Sequence, residues 1–286
     1  MIGFIGLGVM GEPICRHLAA KSGQKVCAYD LAPEPLQRLK AHGVEPLASV
    51  REVAEKSDVV FLSLPGGKEV KLVCAGPGSL LIKLRAGAYI VDLSTTPVPL
   101  ARELRERFYA RGIHFIDAPV ARTREAAESG TLSVMVGGTE AEFQRMRPLL
   151  AHFGSDVIHC GAAGAGQAMK LINNMVLFQN VVALAEALAV VKRTGLDPAL
   201  AFEVLSKGSA DSFALRHHGL KAMLPGRFPE RAFSVEYARK DLGYLLQLAR
   251  QLQLDLSGAR NTRAVLDKAS AAGLGKEYFP ALMKIL

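Results

Sequence analysis

Short apolar runs alternate with amphipathic stretches through roughly the first 160 residues, and this alternation sets the fold class. Ile2, Phe4 and Ile5 read as a buried strand, residues 12–20 as a helix, and residues 25–29 as a second strand ending at Asp30. Residues 58–64 form a near-continuous apolar run closed by Pro65-Gly66-Gly67, the signature of a parallel strand buried on both faces. Residues 88–93 repeat it and are closed by Ser94-Thr95-Thr96-Pro97; residues 115–116, 132–136 and 156–159 complete the set. Strand–helix alternation of this kind predicts a doubly wound α/β sheet, whose ligands sit at the carboxyl ends of the strands. Leu64 and Pro65, Thr95 and Pro119 all stand at or just after such ends and are expected to line one crevice.

The pattern changes after the glycine-rich stretch 161–166. Residues 167–194 carry no Pro or Gly and predict one long helix, stopped by Gly195 and Pro198. Beyond it, helical periodicity is punctuated by Gly and Pro with no strand run, which predicts an all-α second domain. The expected boundaries are 1–161 and 162–286, joined by the long helix. Its most apolar part, residues 175–191, contains Gln179, Asn180 and Glu186, and reads as a buried helix rather than a membrane span. It is apolar on several faces, so cover by its own domain and by a partner subunit is expected.

The turn after the first strand reads Gly6-Leu7-Gly8-Val9-Met10-Gly11, a G-x-G-x-x-G leading into a helix, and Asp30 lies nineteen residues past Gly11. Strand, turn, helix, strand and acid in this order form a dinucleotide site of the Rossmann type. Gly6 permits the tight turn, Gly8 lets a pyrophosphate reach the backbone, and Gly11 brings the helix close to the sheet. The helix N-terminus then faces the phosphates. Asp30 would accept from the adenosine ribose hydroxyls and repel a 2′-phosphate, and Leu31-Ala32 supplies no arginine to hold one. NAD is therefore expected over NADP. The bland alternative is a glycine-rich turn in an ordinary α/β domain, with Asp30 a solvated strand end.

Composition adds limits. Half of the 286 residues are hydrophobic, enough for a sizeable core, and the net charge is +8 without any block of like charges. Such a dispersed basic surface suits anionic ligands. Nucleic-acid binding is disfavoured because no basic stripe interleaves with aromatics and there is no Trp. Cys15, Cys27, Cys74 and Cys160 form no C-x-x-C and read as buried small hydrophobes of a reducing compartment. The apolar run begins at residue 2, with no signal peptide before it, so a cytoplasmic protein off the membrane is expected.

Lys170 and Asn174 stand four apart on the long helix and share a face amid apolar neighbours. A lysine there is more often a snorkelling surface residue. Here its place just after a glycine-rich hinge favours chemistry, since partial burial disfavours a bare ammonium and suits proton transfer. Lys240-Asp241 is a second candidate pair, for which a solvated helix turn is equally acceptable. The seven histidines show no ligand spacing, and no metal is expected. His217-His218 read as a satisfied surface pair.

These motifs resemble the β-hydroxyacid dehydrogenase family. The likeness rests on residues 4–11, Leu64-Pro65, Asp92-Leu-Ser-Thr-Thr96, Asp117-Ala-Pro-Val120 with Gly130-Thr-Leu132, residues 164–174, and Lys240-Asp-Leu242. It implies a Rossmann domain, a long interdomain helix, an all-α C-terminal domain, and homodimers or homotetramers. By position, Lys170 resembles the proton-transferring lysine, and Asn174, with Asn173 beside it, the substrate-positioning asparagine. Thr95 resembles the residue between nicotinamide ribose and substrate, Leu64 and Pro65 the cofactor wall, and Lys240, with Asp241, the pair that closes over both ligands. Where most of the family reads Ser-Gly-Gly after Pro-Val, this chain has Ala121-Arg122-Thr123. An arginine there resembles the sulfolactaldehyde reductase branch and implies an anionic substrate tail on a guanidinium fork. Ala121 and Leu177 depart from that branch, and a solvent-facing loop arginine is the alternative. The expectation is an NAD-dependent dehydrogenase of a small anionic 3-hydroxy acid, of the 3-hydroxyisobutyrate or tartronate semialdehyde type. Its rivals are a sulfonate reductase, an imine reductase on the same fold, which usually lacks the lysine, and a non-catalytic NAD-binding regulatory protein.

Overall fold

The computed structural model describes residues 1–230 and 232–286. It divides into two compact units, Met1–Lys170 and Leu171–Leu286.

The first unit begins β1 (Ile2–Ile5), α1 (Gly11–Lys21), β2 (Val26–Tyr29), α2 (Pro33–Lys40), β3 (Val44–Pro46), α3 (Val50–Lys56), β4 (Val59–Leu62), α4 (Gly67–Ala75), α5 (Leu80–Lys83) and β5 (Tyr89–Asp92). It continues with α6 (Val98–Tyr109), β6 (His114–Asp117), β7 (Val120–Ala121), α7 (Arg124–Ser129), β8 (Leu132–Gly137), α8 (Glu140–Leu150), β9 (Gly154–Gly161) and the start of α9 (Ala165–Thr194). The strands form one sheet in the order β3-β2-β1-β4-β5-β6-β8-β7, with β9 paired to β8. β3, β2, β1, β4, β5 and β6 are mutually parallel. The expected doubly wound sheet is therefore present, but it is not parallel throughout: β8 returns antiparallel to β6 and β7. β3 escaped the sequence reading because it is three residues long and ends on Pro46, and β7 because it is only two.

Side-chain alternation sorts the strands' residues onto two buried faces. Ile2, Phe4, Phe61, Val91 and Ile116 pack with Ile14 and Leu18 of α1 and Phe143 and Leu150 of α8. Ile5, Val60, Leu62, Ile90 and Phe115 pack with Val53 of α3, Val70 of α4, and Leu104 and Phe108 of α6. Burying each such side chain contributes about 1.5–3 kcal/mol, so the register that keeps both faces apolar is strongly specified. Phe4 and Phe61 stack across neighbouring strands with centroids 6.1 Å apart. The parallel strand ends this fixes are where Asp30, Leu64, Thr95 and the loop after Asp117 emerge.

The second unit takes the rest of α9, then α10 (Pro198–Lys207), a wide-turn π-helix at Leu215–Met223, α11 (Val235–Gln251), α12 (Ser257–Ala269) and a closing 3₁₀ segment at Phe279–Ile285. Asp197 caps α10 through the N–H groups of Ala199 and Leu200, and Ser234 caps α11 through that of Tyr237. Phe178 of α9 packs edge-on against Phe279, centroids 5.2 Å apart, and stacks with Phe233 at 5.9 Å. Among the described residues α9 is the one helix long and apolar enough to cross a membrane. Its buried positions include Leu171, Phe178, Val181, Ala185 and Leu188, one core-facing stripe, while Met169, Ile172, Val176 and Val190 are exposed.

Two readings of small polar groups are corrected. Cys15, Cys27 and Cys74 are buried as expected, but Cys160, near the end of β9, is only half-buried. His218 is no surface residue: it is 4% exposed and packs edge-on against Phe279 at 5.1 Å. The Tyr278 hydroxyl lies 2.5 Å from its Nδ1, whereas Nε2 has no hydrogen-bond partner among the described residues. Nothing in the sequence indicated that one side of this helix would be covered: Phe213, Tyr278 and Phe279 all pack on His218. His217 stacks on Phe213.

Burial, with a smaller contribution from His217, pushes the His218 ring down from 6.5 to about 4. The ring is therefore neutral in the fold and protonated in the unfolded chain between those values. The contribution of His218 to stability is complete above pH 6.5 and is lost as pH falls toward 4, by up to about 3 kcal/mol, whereas the buried carboxyl of Asp117, raised to about 6, acts in the opposite sense over the same range. Urea unfolding of the wild type and of His218→Phe, compared at each pH, isolates the histidine: the wild type should lose up to about 3 kcal/mol relative to the variant between pH 6.5 and 4, and a difference that does not vary with pH would overturn this account.

Candidate active site

The cofactor side of the site is built at the strand ends of the first unit. Gly6 turns the chain out of β1 at φ +94°, and a Cβ there would lie 2.3 Å from the Ser63 carbonyl. A Cβ at Gly11 would lie 2.1 Å from the Gly6 carbonyl, so α1 starts as close to the sheet as a chain can. Gly8 is different: a Cβ there would meet nothing within 4 Å. The protein's own packing does not require a glycine at position 8, but a phosphate approaching the backbone does. Met10, at the N-terminus of α1, contributes no side-chain cap, which leaves that end to an anion. Leu7 is buried, Val9 is exposed at the loop's surface, and Met10 is half-buried against the core. Asp30 Oδ2 accepts from Leu7 N–H at 2.5 Å and Oδ1 from Ala32 N–H at 2.7 Å. The carboxylate thus ties the glycine loop to the end of β2 and is held rigid there. These residues fit a dinucleotide.

The neighbouring strand ends are stitched together. Leu64 N–H donates to Ser94 Oγ at 2.9 Å, and Ser94 N–H to Asp92 Oδ1 at 3.0 Å. Pro65 is exposed beside Leu64, and Thr95 is half-buried. Asp117, the last residue of β6, is buried, and its carboxylate accepts from Gly164 N–H at 2.7 Å and Gln167 N–H at 2.9 Å. It thereby caps α9 from another element. Burial pushes this carboxyl up to about 6, and the N–H groups of Gly164, Gln167 and Gly166 pull against that shift. A Cβ at Gly166 would lie 2.2 Å from the Met135 carbonyl and 2.9 Å from the carboxylate. The stretch read as a glycine hinge is here a close-packed anchor. Three residues along α9 from Gln167 stands Lys170, only 9% exposed.

The Ala121-Arg122-Thr123 loop has a defined shape. Ala121 pairs with Ser133 in the sheet, and Thr123 is the residue before α7. Between them Arg122 adopts φ +88°, the left-handed region that glycine takes without strain. Its guanidinium donates to the Thr131 carbonyl at 2.5 Å, Ser155 Oγ at 2.7 Å and Asp156 Oδ2 at 2.5 Å. The structure gives the guanidinium this neighbouring carboxylate as its anion.

In the second unit, the remaining expected residues converge. Asn174 is 3% exposed and its Nδ2 donates to Asp241 Oδ2 at 2.8 Å. Asn173 Nδ2 donates in turn to Asn174 Oδ1 at 3.1 Å. Asp241, 1% exposed, pairs through Oδ1 with Lys240 Nζ at 3.0 Å. The ammonium also lies 5.5 Å from the Tyr237 ring centroid and 5.3 Å from that of Tyr244. Asp241 therefore supports both Asn174 and Lys240 from behind. Asp117 and Gln167 carried no functional reading in the sequence. The signal for them was a polar residue set among small and apolar ones, which becomes meaningful only once its burial is known.

Comparison with known proteins agrees with this geometry. Residues 1–161 match the family model of the NAD binding domain of 6-phosphogluconate dehydrogenase, and residues 164–286 match that of NAD-binding of NADP-dependent 3-hydroxyisobutyrate dehydrogenase. The chain is 36% identical over 284 residues to 2-(hydroxymethyl)glutarate dehydrogenase of Eubacterium barkeri, covering 99% of this chain and 94% of that protein. It is 34% identical over 288 residues to 3-hydroxyisobutyrate dehydrogenase of Pseudomonas aeruginosa, covering 97% and 95%. The crystal structure of 3-hydroxyisobutyrate dehydrogenase from Salmonella typhimurium superposes with a TM-score of 0.89 at 28% identity, covering 100% of this chain and 99% of that one. With its glycine loop, its Asp30 carboxylate and its long α9, the chain belongs to the β-hydroxyacid dehydrogenase family and is an NAD-dependent oxidoreductase acting on CH–OH groups.

Proposed function

We propose that the enzyme interconverts a small 3-hydroxy acid with its aldehyde, of the 3-hydroxyisobutyrate or tartronate semialdehyde type. The observation that carries this reading is Lys170, nearly buried on the first turns of α9 and followed one turn later by Asn174. Helix geometry sets the two about 6 Å apart along the axis, a span that suits one small substrate. In reduction, Lys170 gives a proton to the carbonyl oxygen; in oxidation it takes the proton from the hydroxyl. Bound NADH supplies the hydride that the carbonyl carbon receives. Asn174, its amide oriented by Asp241, holds the substrate's hydroxyl or carboxylate. Thr95 flanks the nicotinamide side and Asp30 selects NAD over NADP, while Lys240 supplies a positive charge suited to an anionic ligand. The two relatives named above are, by name, dehydrogenases of carboxylic acids that bear a primary alcohol, which supports the same substrate class. A homo-oligomer in the cytoplasm is part of the proposal, supported by the exposed apolar positions of α9 and by cysteines left as thiols.

The sulfonate alternative rested on Arg122. Its guanidinium is committed to Asp156, Ser155 and the Thr131 carbonyl, so in this reading it staples the loop rather than meeting the substrate anion.

NADH oxidation measured with methylmalonate, tartronate and succinate semialdehydes, 2-formylglutarate and sulfolactaldehyde tests the reading. Preference for a carboxylated aldehyde is expected, and exclusive turnover of sulfolactaldehyde overturns it. Lys170→Ala should lower kcat by about 10²–10⁴-fold with NADH binding retained; full activity would remove the proton-transfer role. Asp30→Ala should reduce the NAD/NADP ratio of kcat/KM roughly tenfold, by removing a charge that repels the 2′-phosphate. Arg122→Ala keeps the strained backbone without the staple and should be about 1 kcal/mol less stable than Arg122→Gly in urea unfolding. KM for anionic and neutral aldehydes should change alike in Arg122→Ala; a loss confined to anions would place the guanidinium on the substrate.

A further inference from the structure

Gln167 is fully buried and lies on the first turn of α9. Its amide is used on both sides. Nε2 donates to the Ser94 carbonyl at 2.7 Å, and Oε1 accepts from Thr96 N–H at 2.9 Å. The two bonds flank Thr95 as a neighbouring strand would, although the partner is a single side chain. The Gln167 backbone N–H is held by Asp117 at the same time. Through Ser94, whose Oγ accepts from Leu64 N–H, the chain of bonds reaches the loop after β4. One residue therefore joins the loops following β4, β5 and β6 to the helix that carries Lys170.

We propose that Gln167 is the positioning residue of the reaction: it holds the Ser94–Thr96 loop against the first turn of α9 and so fixes Thr95 relative to Lys170. This rests on the function proposed above. Hydride and proton must reach neighbouring atoms of one carbonyl group, and misplacement by about 1 Å costs on the order of 10²-fold in rate. An amide suits the task because it supplies one donor and one acceptor without a charge that would compete with the cofactor or substrate. The side chain itself, being fully buried, touches neither.

The test compares Gln167→Met, which keeps the length and loses both bonds, with Gln167→Glu, which keeps the acceptor for Thr96 and loses the donor to Ser94. Hydrogen exchange of the full-length protein with NADH bound reads the clamp without any substrate. Exchange should quicken in peptides spanning residues 92–100 and 160–172 of Gln167→Met, and less so in Gln167→Glu. With a turned-over aldehyde, kcat should fall about 10–100-fold in Gln167→Met, while the NADH dissociation constant and the aldehyde KM stay within about threefold. Unchanged exchange overturns the clamp. Quicker exchange with kcat preserved overturns the positioning role, and so does a parallel loss of kcat, NADH affinity and thermal midpoint, which would mark a merely structural bond. If the wild type turns over no aldehyde, the functional reading fails, and the exchange data still decide the clamp.

Discussion

The carboxylate of Asp117 is the point on which the first unit's active-site side depends. A buried anion is costly, and this one is stabilised by the N–H groups that open α9. Those N–H groups would otherwise be the unsatisfied end of a thirty-residue helix. Each partner therefore removes the other's desolvation cost, and the bargain holds only if β6 and α9 meet at one fixed place. Gly166 enforces that place, because any side chain there would collide with the Met135 carbonyl and the carboxylate. The orientation of Lys170, one turn further on, follows from it.

The architecture was legible because it rests on periodicity and on punctuation. Strands buried on both faces write continuous apolar runs, and the glycine loop of residues 6–11 sits where such a run ends. The long helix announced itself by the absence of Gly and Pro from residue 167 to 194. Lys170 and Asn174 were legible for a related reason, as polar residues on an apolar surface with helical spacing. What escaped depended on burial or on distant pairing. Gln167 looks like any helix residue until its amide is seen across from Ser94 and Thr96. His218 looked exposed because the rings that cover it, Tyr278 and Phe279, lie about sixty residues away in sequence. The run of alternating strands gave no sign that β8 would turn antiparallel, since direction is set by how β7 and α7 return the chain.

The second unit shows a comparable economy. Asn174, Asp241 and Lys240 come from two helices, α9 and α11, and are joined through one carboxylate. A lone buried asparagine has an amide that can flip, exchanging donor for acceptor. Here Asp241 accepts from its Nδ2, so its oxygen faces a defined direction, where Asn173 meets it. The ammonium of Lys240 is restrained from the same side by Asp241 and bordered by two tyrosine rings. One carboxylate shared by two neighbours thus orients both an amide and an ammonium.

The left-handed backbone at Arg122 carries a lesson about the order in which substitutions accumulate. A left-handed position that would suit glycine accepts a long side chain without net cost when something else offsets the strain of about 1 kcal/mol. In this chain the offset comes from Asp156 and Ser155, more than thirty positions away in sequence and adjacent in space. An ancestor that replaced glycine before acquiring those partners would have carried an unsupported kink. One that acquired Asp156 and Ser155 first would have carried two harmless surface residues. The second route avoids that cost of about 1 kcal/mol at every step, so the tether makes one order of substitution less costly than the other.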